Sequence, residues 1–275
     1  MGKAEWGADP EFFGPRHAHR EDRLEGAIAR RVPDLGLHLE CAAGVGSMSL
    51  TLARRGATVI AADASLRSLA VVAARADRAG HATDVVPVVA DITRLPFADD
   101  AFPSASSAET LEHVSDHGTA ARELGRVLAP GGWLLGTVPA DPRQWSAWDD
   151  WGGHLRRYRR SDMVELLTDA GLEPEVTVWG WPVLRIYDDV FMRRVNRRRL
   201  HHDGAIDDDP TLARVSGLGT KRWLVNLVRG AFTIDRLFDG APWGVGLLFA
   251  ARKPHDTNRG RPANSGGGSG SGSGS

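Results

Sequence analysis

The sequence predicts an α/β protein: a Rossmann-like, seven-stranded, mostly parallel sheet with helices on both faces and a helical cap inserted before the last strand. Three observations carry this expectation. Short apolar runs alternate with segments whose apolar residues recur at helical spacing. Three of those runs close on or beside an acid, at Glu40, Asp63 and Asp91. The alternation lapses once, over residues 180–240, and a final apolar run then resumes it. Strands separated by helices need crossover connections, which are right-handed and leave the strands parallel.

In chain order, an amphipathic helix over 19–31 precedes a first strand at 37–41, which ends in the small-residue run Ala42-Ala43-Gly44-Val45-Gly46. Ser47 is placed to cap the helix carrying Leu50, Leu52 and Ala53. A strand at 58–62 closes at Asp63, Ser65 opens a helix with Leu66, Leu69, Val72 and Ala76 on one face, and a strand at 84–90 closes at Asp91. The second half continues with a strand at 103–108, a helix at 116–128, a Pro-Gly-Gly turn at 130–132, a strand at 133–138, a helix at 161–170 and a strand at 172–179. Two apolar stripes mark the cap: Val183, Leu184, Tyr187, Val190, Phe191 and Val195, then Trp223, Leu224, Leu227, Val228, Ala231, Ile234, Leu237 and Phe238. The last strand is expected at 245–251. The domain plan is thus an N-terminal helical segment over 1–35, a core over 36–179, the cap over 180–240, the closing strand over 241–254 and a Gly/Ser-rich tail over 255–275.

Composition narrows the function classes. With 42% apolar and 25% charged residues the chain can bury a sizeable core, which excludes a disordered or fibrous protein. Lys and Arg total 34 against 35 Asp and Glu, so no global field recruits nucleic acid or anionic lipid. A single cysteine, Cys41, permits neither an internal disulfide nor a cysteine-based zinc site, and the reading is of a cytoplasmic chain. Tryptophan is over-represented: nine, against eight Phe and two Tyr, so aromatic function concentrates in indoles.

In an open α/β sheet, ligands bind beyond the carboxyl ends of the strands. The three acids sit there in phase, and the run 42–46 lets backbone approach a ligand and aims a helix N-terminus at it. A dinucleotide fold would need a third glycine where Ser49 stands, so hydride transfer is the weaker reading. These motifs resemble class I S-adenosylmethionine-dependent methyltransferases of the broad small-molecule (type 11-like) kind. The resemblance rests on Glu40-Cys-Ala-Ala-Gly-Val-Gly46, Asp63, Asp91-Ile92, Leu95-Pro-Phe97 with Asp99 and Phe102, Leu111-Glu-His-Val114 and Arg126-Val-Leu-Ala-Pro-Gly-Gly132. Ala42 stands where the family pattern has its first glycine. The resemblance implies that S-adenosyl-L-methionine is bound and S-adenosyl-L-homocysteine is the product. It implies that Asp63, with Ala64, meets the ribose hydroxyls, and that Asp91 and Ile92 meet the adenine. Ala42, Gly44, Gly46 and Ala108 line the methionine side, Glu40 acts through the methionine ammonium or water, and Arg23 pairs with the methionine carboxylate.

Methyl transfer is an in-line displacement that needs alignment and, for hydroxyl or carbon acceptors, proton removal. No metal is expected. His113 and His154 are the candidate bases, because histidine titrates near neutrality, and Tyr158 is a candidate for orienting substrate. Trp145, Trp148, Trp151, Trp179 and Trp181, with Tyr187, are expected to line the acceptor site, which favours an apolar, aromatic small molecule. Two rivals stand beside this reading: a membrane-associated quinone or lipid as acceptor, with the arginine-rich cap edge on the bilayer, and a non-catalytic cofactor-binding scaffold. No nucleic-acid partner is expected. A monomer and a homodimer are equally compatible with the sequence.

Overall fold

The computed structural model describes residues 14–194 and 222–255. Its centre is one sheet in the order β3-β2-β1-β4-β5-β7-β6. The strands are β1 (Leu37–Cys41), β2 (Thr58–Asp63), β3 (Val85–Val89), β4 (Phe102–Ala108), β5 (Leu128–Pro139), β6 (Glu173–Trp179) and β7 (Gly246–Arg252). Strands β1 to β5 pair in parallel, while β7 lies antiparallel to both β5 and β6, so the sheet is mostly parallel, as expected. Chain order reverses between β1 and β4, so the crevice above their carboxyl ends is where this topology places a ligand.

The helices follow from local chemistry. Helix α1 (Pro15–Arg31) opens four residues earlier than its apolar pattern suggests, because Pro15 at the first turn has the φ that a helix needs and lacks only an N–H that would be unpaired there. It buries Leu24, Ala27 and Ile28. Helix α2 (Ser47–Ala53) corrects one expectation: its cap residue is Gly46, left-handed at φ 74°, so the turn and not the Ser47 hydroxyl starts the helix. Helix α3 (Leu66–Arg78) is capped by Ser65, whose hydroxyl accepts from the Ser68 N–H at 3.2 Å. Helix α4 (His117–Val127) is capped in the same way by Asp116. The Pro-Gly-Gly turn proves to be a register shift inside a longer β5, opposite Phe102 and Ser104 of β4. Short helix α5 (Ala147–Gly152) and α6 (Arg160–Asp169) complete the core.

Apolar side chains pack on both faces of the sheet. One cluster joins β1, β4, β5 and β7 to α4 and α6 around Leu39, Leu124, Leu134, Met163 and Phe249. Another joins α1 to the described parts of the cap around Ile28, Leu135, Trp179, Leu184 and Phe232. The described part of the cap comprises α7 (Val183–Tyr187), running into one π turn at Asp188–Met192, and α8 (Arg222–Phe232), followed by a 3₁₀ stretch at Thr233–Phe238. Val195 lies outside the described residues. Buried Asp235 ties the two pieces together by accepting from the N–H groups of Val183 (2.7 Å) and Leu184 (2.9 Å) at the start of α7.

The second apolar stripe is turned the other way from expectation. The face of α8 laid on α1 carries Val225, Val228 and Phe232, with Arg229 paired to Asp22, whereas Trp223, Leu227, Ile234 and Leu237 are exposed. Residues 225, 228, 229 and 232 share one side of a helix, and the Arg229–Asp22 pair selects that side.

Candidate active site

The loop after β1 is built from residues in left-handed backbone: Ala42 at φ 58°, Gly44 at 54° and Gly46 at 74°. A Cβ on Gly46 would sit 3.0 Å from Val72 on α3, so this glycine permits close packing. A Cβ on Gly44 would meet nothing within 4 Å, so the backbone there faces open space. Asp63 closes the cradle: its carboxylate accepts from the Gly44 N–H at 2.9 Å and from the Ser65 N–H at 2.8 Å. Asp91, at the end of β3, is exposed and accepts from both the N–H and the hydroxyl of Thr93. Those bonds hold its carboxyl below the usual range, and Ile92 beside it is half-buried against the core. Ala108 ends β4, where its carbonyl accepts from the Thr110 hydroxyl at 3.1 Å.

Glu40 is the most informative of the acids. It is buried, and its one hydrogen-bond partner among the described residues is the Ser49 hydroxyl. Burial pushes its carboxyl up to about 8, with the charges of Glu21 and Asp63 adding to the effect and Ser49 opposing it. A buried acid with no cation beside it fits a site that takes a cationic ligand group, such as the ammonium of a methionine.

Arg23 is placed differently from expectation. Its guanidinium is buried and donates to Asp239 at 2.6 Å, 6.0 Å from the Trp179 ring centre, so it fastens α1 to the cap. One turn earlier on α1, Arg20 stands 3.5 Å from Glu109, the residue that follows Ala108. Burial opposes ionisation of Glu109, yet Arg20 and then Arg16 hold its carboxyl low. Arg20, rather than Arg23, is the α1 arginine at the cleft.

On the other side of Glu109 lies a cluster from three segments. A 3₁₀ turn, Leu111–His113, supplies Glu112 and His113, and the loop after α5 supplies His154. That loop is clamped to the turn by Leu155 N–H to Glu112 O at 2.8 Å and by Arg156, which donates to the carbonyls of Leu111, Val114 and Ser115. The His113 and His154 rings stand edge to face at 4.7 Å. His154 Nδ1 bonds to Asp149 at 2.8 Å, and Arg157 bonds to the same carboxylate at 2.7 Å. Asp149 is fully buried; burial disfavours its charge, but the hydrogen bonds from His154 and Arg157 hold its carboxyl well below the usual range. A buried carboxylate that fixes one imidazole nitrogen orients the other for chemistry. Tyr158 is 2% exposed beneath the loop, its hydroxyl donating to Leu111 O at 3.0 Å and lying 2.9 Å from His117 Nδ1. Its place is under the site and not at its surface.

The expected aromatic wall divides into four. Trp148 and Trp151 stack at 4.6 Å on α5, and Trp145 beside them donates to Asp150. Trp181 packs on Trp243, 5.6 Å away. Trp179 is buried against Gly246 and His19, which makes it part of the core. Tyr187 packs between Phe191 and Phe232, each 5.3 Å away.

The comparisons with known proteins bear on this geometry. Residues 39–136 match the methyltransferase-domain model Methyltransf_11, and that segment holds the Glu40, Asp63, Asp91 and Glu112 positions. This segment is a class I methyltransferase domain. The demethylmenaquinone methyltransferase of Mycobacterium marinum is 42% identical over 97 residues, 35% of this chain and 38% of that protein. The Mycobacterium tuberculosis protein of the same name is 40% identical over the same length, so the chain aligns with little more than a third of these relatives. Among solved structures, the cyclase SpnF superposes with a TM-score of 0.55 at 24% identity, over 85% of this chain and 81% of that one. Phosphoethanolamine N-methyltransferase 2 of Haemonchus contortus, in complex with S-adenosyl-L-methionine, gives 0.58 at 18% identity over 85% and 53%. These likenesses extend the fold of the methyltransferase domain to both sides of the matched segment.

Four residues escaped the sequence reading. Arg20 and Asp149 carried a signal, one turn from Arg23 and five residues from His154, but several charged neighbours carried it equally. Glu112 was legible only as the companion of His113, and Glu109 only as the end of a strand.

Proposed function

We propose that this protein transfers a methyl group from S-adenosyl-L-methionine to an apolar, aromatic or quinone-like small molecule. The observation that carries the reading is the meeting, at the ends of β1 and β4, of the open loop 42–46 with a charged cluster built from α1, the 111–113 turn and the His154 loop. Bound S-adenosyl-L-methionine supplies an activated methyl on a sulfonium. The chain's own residues do the rest. Asp63 is positioned for the ribose, its carboxylate already fixed by two backbone N–H groups. Glu40 receives the ammonium, Arg20 with Arg16 the methionine carboxylate, and Asp91 with Ile92 the adenine edge. His154, oriented by Asp149, faces the acceptor together with His113. Trp148 and Trp151 on α5, with Trp145 just before it, precede the same loop, where flat apolar rings suit a planar acceptor.

The quinone side of this reading draws support from the demethylmenaquinone methyltransferase names of the relatives and from exposed Trp223, Leu227, Leu237 and Trp243 on the cap. No helix among the described residues is long and apolar enough to cross a membrane, so contact with a bilayer would be at its surface. The decisive experiment is calorimetry with S-adenosyl-L-homocysteine, followed by a mass-spectrometric screen for methylated phenols, indoles and quinols. One-to-one binding that Asp63→Ala largely abolishes supports the cofactor assignment; unaltered binding by that variant refutes it.

A further inference from the structure

We propose that Glu112, His113 and His154 form a binding site for one divalent transition-metal ion at the acceptor end of the cleft. One ligand-capable atom from each of the three side chains lies within 4.8 Å of those from the other two. Two nitrogens and one carboxylate oxygen suit zinc, manganese, iron or cobalt dications, while magnesium prefers oxygen alone. The inference deepens the proposed function, since a Lewis-acidic ion there would hold an oxygen of the acceptor beside the cofactor.

Two features point to a ligand rather than to chance proximity. The first is Glu112, which is fully buried with neither carboxylate oxygen hydrogen-bonded to a side chain or backbone group among the described residues. A buried unpaired carboxyl is costly, and a bound cation is one of the few groups that satisfies it.

The second feature is the way the imidazoles are held. His113 Nδ1 stands 3.3 Å from the Gly153 carbonyl, which can only accept, so that nitrogen carries the proton. His154 Nδ1 stands 2.8 Å from the Asp149 carboxylate and is likewise the donor. Each neutral ring therefore has Nε2 as its unprotonated nitrogen. Metal-ligating histidines are oriented in this manner, one ring nitrogen on a carboxylate or carbonyl and the other on the metal. Arg157 fixes Asp149 from behind, so the pattern continues into a supporting layer. The strand end Ser106-Ser107-Ala108-Glu109 offers no aspartate, so the proposed ligands come instead from the 111–113 turn and from a loop 41 residues after His113.

The test uses the full chain, stripped with a chelator and then titrated with Zn²⁺ by calorimetry and with Co²⁺ by visible absorption. The expected result is one ion per chain and a Co²⁺ spectrum typical of mixed nitrogen and oxygen ligation. His113→Ala and His154→Ala should each weaken the affinity at least ~100-fold, and Asp149→Asn by roughly 10-fold to 100-fold through loss of orientation. His81→Ala, a histidine beside Asp84 far from the cluster, should leave it unchanged. Glu112→Gln should also lose the ion; if that variant does not fold, the two histidine variants decide. Absence of one-to-one binding, or binding that survives both histidine substitutions, overturns the site. Calorimetry with S-adenosyl-L-homocysteine on the stripped protein separates the two proposals: binding there with no metal site sinks only this inference, and a metal site without that binding sinks only the cofactor reading.

Discussion

Replacing Glu40 by glutamine should make the ligand-free protein more stable, and increasingly so as pH rises. In the folded chain burial holds the carboxyl up to about 8, against an ordinary value of 4.5. The folded state therefore binds more protons than the unfolded state between those values, so stability present below pH 4.5 is lost as pH climbs through 8. At 1.36 kcal/mol for each unit of pKa, the loss is on the order of 1 kcal/mol by pH 5, 3 kcal/mol by pH 7 and 4 kcal/mol by pH 8. Glutamine is neutral throughout, occupies nearly the same volume, and leaves Ser49 an oxygen to donate to. Urea unfolding at pH 5, 7 and 8 should show Glu40→Gln within ~1 kcal/mol of the parent at pH 5 and about 3 kcal/mol more stable than at that point by pH 8. Ligand binding should reverse the penalty. A cationic ammonium lowers the carboxyl pKa, so wild-type protein at pH 7 should release a proton on taking up S-adenosyl-L-homocysteine, whereas Glu40→Gln should not. Calorimetry in two buffers of different ionisation enthalpy counts that proton. A stability gain independent of pH, or equal proton release from both proteins, would refute the argument that Glu40 is an uncompensated buried acid.

Three further outcomes follow from the same geometry. Arg20→Ala should weaken S-adenosyl-L-homocysteine affinity ~10-fold or more, since a charged hydrogen bond is worth about 1.5–3 kcal/mol, in addition to the stability lost with its Glu109 pair; Arg23→Ala should lower stability through the lost Asp239 pair and leave that affinity unchanged. Gly44→Ala should cost only ~1 kcal/mol of folding from its left-handed backbone, yet block the ligand, because its methyl enters open space; Gly46→Ala meets Val72 at 3.0 Å and should destabilise the fold more, and equal effects in melting and titration would contradict this division. Tyr158→Phe should cost about 1–2 kcal/mol of stability while keeping most of the turnover on any acceptor found by the screen, and a well-folded but inactive variant would restore Tyr158 to the chemistry.

The proposed cofactor half of the site draws on residues that are nearly local in the sequence. Glu40 and the run 42–46 are contiguous, and Asp63 and Asp91 mark the ends of the next two strands, so strand periodicity alone brings them to one edge of the sheet. The parallel core was readable for the same reason: each apolar run forms a strand whose register needs only its neighbours, even at the sheet edge, where β3 fully buries only Val85. Where partners come from distant segments, the reading failed in a consistent direction. Arg23 and Arg20 differ by one turn of one helix, and what separates them is Asp239, more than two hundred residues away. The face of α8 depends on Asp22 in the same fashion. Both errors concern a surface shared by α1 and the cap, two segments that the sequence places at opposite ends.

The acceptor cluster shows what such distance costs to inference and what it implies for mechanism. Glu112 and His113 ride on a single 3₁₀ turn, but their partner His154 is delivered by a loop that Arg156, Leu155 and Tyr158 fasten to that same turn. Each of these fastenings is a bond to a backbone carbonyl, which any sequence supplies. The side chains that read as candidates for chemistry therefore divide by what they bind. Tyr158 and Arg156 bind backbone and fix the loop, whereas His113, His154 and Glu112 point their functional atoms at one another. A loop fixed through backbone contacts can keep its position while the residues it carries change, so acceptor choice in this protein should reside in α5 and residues 145–154 rather than in the clamp. Exchanging Trp148 or Trp151 should accordingly alter which acceptors are methylated without loosening the loop, and a lower melting temperature accompanied by unchanged selectivity would place specificity elsewhere.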